Sequence, residues 1–165
     1  MRRNKLKRRA EYGASAFAIV GDPGWQGRWR AELCQRSQPA PDSGLTPASQ
    51  LVLELGCGRA EFSLGLARLY PDRFFVGVDL RSVRMWAAAQ VAEQEGLKNL
   101  FLMREDIFLI GQRFDNAEVD EIWITFPDPF PKPRHANRRM TGEHFLNQYR
   151  RILRPGGLVK FKTDN

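Results

Sequence analysis

The chain has 165 residues, 42% of them hydrophobic, and a formal net charge of +7. This length and apolar content suit a single globular unit with a core of its own, not an unstructured tail. The charge points to a polyanionic partner, nucleic acid ahead of an acidic membrane surface, and no apolar run is long enough to span a bilayer.

Residues 1 to about 50 read as a basic arm followed by an irregular linker, with the first domain boundary at residue 50. Arg2, Arg3, Lys5, Lys7, Arg8 and Arg9 make six of the first nine residues basic. Residues 13 to 20, GASAFAIV, make a poor signal peptide, because Glu11 interrupts the approach and the apolar run is at the short limit. A soluble cytoplasmic protein without membrane association is expected. A segment with Trp25 and Trp29 leads into QPAPDSGLTPAS, a linker rich in proline and serine. Cys34 and Cys57 lie far apart without CxxC spacing, and only His135 and His144 could join them, so neither a disulfide framework nor a metal site is expected.

From Leu51 on, strands and helices alternate. LVLEL (51–55), FFVGVD (74–79), LFLM (100–103), EIWITF (121–126) and GLVKFKT (157–163) read as five strands. Between them, residues 61–70 place Phe62, Leu66 and Leu69 on one helical face, and residues 82–95 do the same with Val83, Trp86, Ala87, Gln90 and Val91. In 143–153 the face is Phe145, Leu146, Tyr149, Ile152 and Leu153, and Pro155, Gly156 and Gly157 end the helix. Trp86 and Trp123 are expected in the core. The alternation predicts an α/β fold: a doubly wound, mostly parallel sheet covered on both faces, with ligands beyond the carboxyl ends of its strands.

Two stretches carry chemistry. In ELGCGRAEF, Gly56 and Gly58 let the backbone turn sharply after the first strand and approach a ligand closely, although many such turns need glycine for geometry alone. Acids stand at the ends of three successive strands: Glu54 before the loop, Asp79 where a ribose would present its hydroxyls, and Glu105 with Asp106 where an adenine amine would donate. A nicotinamide dinucleotide fits poorly, since Glu61 occupies the place of the third small residue and would repel a pyrophosphate. An acid-rich pocket suits a cofactor without phosphates and with a positive centre, which describes S-adenosylmethionine. For each acid alone, a strand end or a helix cap is the plainer role.

In FPDPFPKPRH (126–135) proline alternates with other residues, so Phe126, Asp128, Phe130 and Lys132 are each pushed out of the α region. A stiff segment at the end of the fourth strand can hold Asp128 over a site. Lys132, Arg134, Arg138 and Arg139, with His135 among them, suit phosphate contacts or a solvated basic loop. Phe130 suits stacking on a base or plain packing.

Together ELGCGRAEF, GVDL, RED, WITFPDPFPKPRHANRRMT and FKTDN resemble the bacterial tRNA (guanine-N7)-methyltransferases from about residue 51 onward, and the basic NKLKR arm is similar too. The resemblance implies a Rossmann-like class I methyltransferase domain over 51–165, with the strands ordered 3-2-1-4-5. It implies methyl transfer from S-adenosylmethionine to N7 of a guanine in the tRNA variable loop. Carried over by position, Glu54, Asp79, Asp106 and Asp128 match the cofactor-binding acids, beside Gly56 and Gly58 of the loop. Asp128 also matches the catalytic residue, and Lys132 and Asp164 match substrate positions. Ala60 replaces a frequent glycine, and Phe130 a common tryptophan. The family's fold adds two strands after the fifth, so a domain incomplete at its C-terminus is expected. Two other readings stay open: methylation of an exocyclic amine, and RNA binding without catalysis. Both a monomer and a homodimer are compatible.

Overall fold

The computed structural model describes residues 2–38, 41, 42 and 44–164. Met1, Asn165 and, within the proline- and serine-rich stretch, Pro39, Ala40 and Ser43 lie outside the described residues. The elements run α1 (Arg2–Ala14), β1 (Ala18–Val20), α2 (Trp29–Ser37), β2 (Leu51–Leu55), α3 (Glu61–Leu69), β3 (Phe74–Asp79), α4 (Ser82–Gln94), β4 (Leu100–Arg104), β5 (Val119–Thr125), α5 (Glu143–Ile152) and β6 (Leu153–Lys162). Two 3₁₀ turns, Ile107–Gln112 and Pro133–Arg138, follow β4 and β5.

The sheet is parallel with spatial order β1-β4-β3-β2-β5-β6. The run β4-β3-β2-β5-β6 follows the expected 3-2-1-4-5 order, and β1 adds an edge strand that the sequence reading lacked. β2 is buried along its whole length, as a central parallel strand with both faces covered must be. Its alternate residues divide between two cores. Leu51, Leu53 and Leu55 join Trp29, Leu33, Phe145 and Tyr149 on the α2 and α5 side. Val52 joins Tyr12, Leu64, Met85 and Ala88 on the α1, α3 and α4 side.

The irregular reading of the first 50 residues is corrected by α1, β1 and α2. These elements are held by distant partners and not by a local pattern, which is why periodicity did not announce them. The buried Tyr12 hydroxyl donates to the Leu102 carbonyl (2.5 Å). Arg36 donates to the carbonyls of Ala16 and Ala18 (2.8 and 2.7 Å). Trp29 stacks on Phe114 with 4.4 Å between centroids, and its backbone N–H donates to Glu118 (2.8 Å).

The expected helical faces shift. On α3 the buried residues are Ser63, Leu64 and Ala67, while Leu69 is 71% exposed; on α4 they are Ser82, Met85, Ala88, Ala89 and Ala92. Small side chains let both helices sit close to the sheet and α4 sit close to α1, so a face chosen by bulk is off by one position. Trp86 and Trp123, expected in the core, lie at its margin under Arg8 and Lys160 (4.8 and 4.7 Å to the ring centroids).

Near the amino ends of the strands Asp120 binds four elements together. Its carboxylate accepts from the Leu51 N–H (2.6 Å) and pairs with Arg30 (2.6 Å) and Arg154 (2.8 Å). Removing the acid strands a backbone donor and two cations, one of them largely buried. Asp120→Ala is therefore expected to lower the unfolding free energy by about 3 kcal/mol, measured by urea denaturation.

Candidate active site

The crevice lies at the carboxyl ends of β2, β3 and β5, where the chain winds away from β2 in opposite directions. Two adjoining cavities, of about 290 and 390 Å³, share Gly56, Arg84 and Phe126. Asp79, Asp128, Ile107, Phe108 and Met140 line the first; Glu54, Gly58, Phe62 and Lys162 line the second. The glycine loop and the proline segment, about 70 residues apart in sequence, thus face one space.

The loop is fastened to β3. The N–H groups of Gly56 and Cys57 donate to the Val78 carbonyl (2.8 and 3.0 Å), and the Gly58 N–H donates to Asp79 (3.0 Å). The other Asp79 oxygen accepts from the Arg81 N–H (2.7 Å), so this acid holds the turn as well as facing the cavity. Gly56 and Gly58 take φ of 73° and 57°, the left-handed region glycine enters without strain, and a Cβ built on Gly58 meets nothing within 4 Å. Ala60 also sits there, at φ 55°.

Glu54 is 4% exposed and fully engaged. One oxygen accepts from the N–H and hydroxyl of Ser63 (3.1 and 2.6 Å), the other from the Thr125 hydroxyl (2.8 Å). The first turn of α3 and the end of β5 are tied through it to β2. Asp106 accepts from the Phe108 N–H (3.0 Å) and caps the 3₁₀ turn that carries Ile107 and Phe108 into the cavity. Glu105 pairs with Arg113 (2.5 Å) and has a bracing role.

The proline segment leaves β5 with Phe126 at φ 49° and Phe130 at φ 44°, so two left-handed residues bracket Asp128. Phe126, Phe130 and Lys132 leave the α region as expected, but the two phenylalanines enter the left-handed region and Lys132 is extended, at φ −69° and ψ 134°. Left-handed phenylalanines cost on the order of 1–3 kcal/mol each, and persist because their surroundings hold them. The Phe126 N–H donates to the Lys162 carbonyl (2.8 Å), and Arg139 donates to the carbonyls of Phe130 and Pro131 (3.0 and 3.1 Å). Arg139 thus braces the segment, whereas Arg138 lines the cavity and Lys132 and Arg134 are exposed. Asp128 is exposed and forms part of the wall between the first cavity and a smaller one of about 160 Å³ under Phe161 and Thr163. Asp164 is exposed just past β6.

Residue types at strand ends did not single out Arg84, Met140, Ile107 and Phe108, whose place in the crevice depends on how elements pack. Gly77 is a further case: a Cβ there would stand 3.1 Å from the Cys57 sulfur, so this glycine lets the loop lie down on β3.

Burial pushes the Glu54 carboxyl above its ordinary value of 4.5, against the pull of its Ser63 and Thr125 hydrogen bonds. The folded state then binds this proton more tightly than the unfolded chain, so the contribution is full below pH 4.5 and is lost as pH rises through the raised value. Glu54→Gln keeps the shape without the charge. Its unfolding free energy relative to wild type is expected to improve as pH rises from about 4.5 and to level off above the raised value, measured by urea titrations across that range.

Residues 48–165 match the family described as "Putative methyltransferase". Among curated proteins, the tRNA (guanine-N(7)-)-methyltransferase of Porphyromonas gingivalis is 40% identical over 140 residues, covering 85% of this chain and 52% of the relative. That of Clostridium acetobutylicum is 32% identical over 163 residues, covering 99% of this chain and 72% of the relative. The chain spans about half the length of the first several such relatives. Among solved structures, a 16S rRNA (adenine(1408)-N(1))-methyltransferase from Catenulisporales acidiphilia, with its cosubstrate SAM, superposes with a TM-score of 0.58 at 20% identity, covering 80% of this chain and 55% of the other. The antibiotic-resistance methyltransferase Kmr gives 0.56 at 20% identity, covering 82% and 69%. By the family match over residues 48–165 and the relative covered across 72% of its length, this chain belongs to the tRNA (guanine-N(7)-)-methyltransferase family.

Proposed function

We propose that the chain carries the methyl-transfer site of an enzyme that takes a methyl group from S-adenosylmethionine to N7 of a guanine in tRNA. The observation that carries this reading is the convergence of Asp79, Gly56 and Asp128 on one cavity of about 290 Å³. The relatives' shared name supports the substrate, and such a substrate fits a cytoplasmic protein.

The residues present fit the cofactor. Asp79 has carboxylate oxygens at the cavity wall for the hydroxyls of a ribose, and Ile107, Phe108 and Met140 offer apolar surface to a purine. Gly58 leaves open space beside the loop, and Glu54 and Asp128 supply negative charge toward a positive centre. Asp106 orients the turn bearing Ile107 and Phe108. When bound, S-adenosylmethionine supplies a methyl group on a positively charged sulfur.

Neutral guanine already has a lone pair on N7, so the acceptor needs no base. Asp128 instead accepts hydrogen bonds from N–H groups on the guanine's Watson–Crick edge and offsets the positive charge that develops on the purine. Its segment is held before substrate arrives, by four prolines and by Arg139, so little freedom is lost on binding. Lys132, Arg134 and Arg138 contact phosphates, Asp164 contacts the substrate from the end of β6, and Arg139 acts through the carbonyls it holds.

The test is incubation of tRNA with labelled S-adenosylmethionine, followed by strand cleavage selective for 7-methylguanine, on this chain and on one of the relatives' length. Label on an exocyclic amine would replace this reading with the other methyltransferase class, and tRNA binding without label would leave an RNA-binding protein. Asp128→Ala is expected to keep the wild-type melting temperature and lose about 10²-fold or more in turnover, the cost of one preorganised electrostatic group. Unchanged turnover in the folded variant removes Asp128 from the reaction.

A further inference from the structure

A groove of about 450 Å³ opens beside the crevice, where α1 crosses the start of α4, and its lining includes Lys5, Arg9, Arg81, Arg84 and Arg104. No carboxylate lines it. Among the described residues, Lys7, Arg28, Arg30, Arg59, Arg68, Arg113, Arg154 and Lys160 each have an acidic partner, whereas the five groove cations have none. Five like charges around one concavity repel each other, and an anion from solution relieves that repulsion.

The arrangement is built by tertiary contacts. Tyr12 fastens α1 through its bond to Leu102, and Arg8 lies over Trp86 of α4. With α1 so placed, Lys5 and Arg9, one helical turn apart, share a face that meets Arg81 and Arg84. Arg84 also lines both crevice cavities, so the groove adjoins the crevice at this side chain. On the crevice's proline-segment side stand Lys132, Arg134 and Arg138. Two cationic banks flanking a cleft fit a polyanion that crosses it, with one base turned into the cleft; a free phosphate needs only one bank.

We propose that this groove binds backbone phosphates of the RNA on one side of the target guanine, with Arg84 as a positioning residue at the phosphate nearest the crevice. The inference rests on the methyltransferase reading for the identity of that base. The cations position the strand and carry no sequence information.

The test measures tRNA affinity across a salt series, together with S-adenosylmethionine affinity by calorimetry, for wild type, the double variant Lys5→Gln with Arg9→Gln, and Arg84→Gln. Each lost phosphate contact lowers the slope of log affinity against log salt by about 0.7 for a single strand, so the double variant is expected to lose about 1.4 and Arg84→Gln about 0.7. The double variant keeps wild-type cofactor affinity, and Arg84→Gln raises KM for tRNA. Wild-type affinity and slope in both variants overturn the groove, as does a wild-type chain that binds no tRNA. Reduced slopes in the variants alongside a wild type that transfers no methyl group leave the groove standing and remove the methyltransferase reading.

Discussion

A buried carboxylate organises the crevice. Glu54 sits at the end of the central strand with almost no access to water, and a charge-bearing group in that position must find donors within the protein. It finds them in Ser63 at the start of α3 and in Thr125 at the end of β5. The residues between Glu54 and Ser63 must then close as a tight turn, which is the glycine loop. The residue after Thr125 begins the proline segment. Both walls of the crevice are set from one side chain.

Around that brace the backbone is held in conformations that it would leave if free. Ala60, Phe126 and Phe130 are non-glycine residues at positive φ, and all three lie in the loop or the proline segment. Such conformations survive where hydrogen bonds and packing over-determine them, and here Cys57, Lys162 and Arg139 supply the bonds to Ala60, Phe126 and Phe130. Rigidity in this region is thus a product of the sheet behind it as much as of proline.

Charge is divided between the two ends of the molecule. Near the amino ends of the strands, Asp120 and Glu118 are consumed by internal partners and fasten the N-terminal elements to the sheet. Near the carboxyl ends, cations stand without acids beside a crevice walled in part by Asp79 and Asp128. The net charge of +7 is therefore not a uniform coat. Five unpaired cations, Lys5, Arg9, Arg81, Arg84 and Arg104, stand around one groove beside the site, where they can steer a polyanion.

The sequence by itself determined the alternating strands and helices, the glycine turn and the stiffness around Asp128, because each follows from short-range pattern or from the chemistry of glycine and proline, whereas the strand order came from the resemblance. It also marked Glu54, Asp79 and Asp106 as acids at strand ends. Only the tertiary structure decided what each acid touches: Glu54 braces two elements, Asp79 holds two amides and Asp106 caps a turn. Only packing could show that α1, β1 and α2 are ordered, since Tyr12 and Trp29 find their partners some 85 to 90 residues away. Lys5 and Arg9 stand about 95 to 100 residues from Arg104, so a groove made of them has no signature along the chain and exists only once α1 is docked.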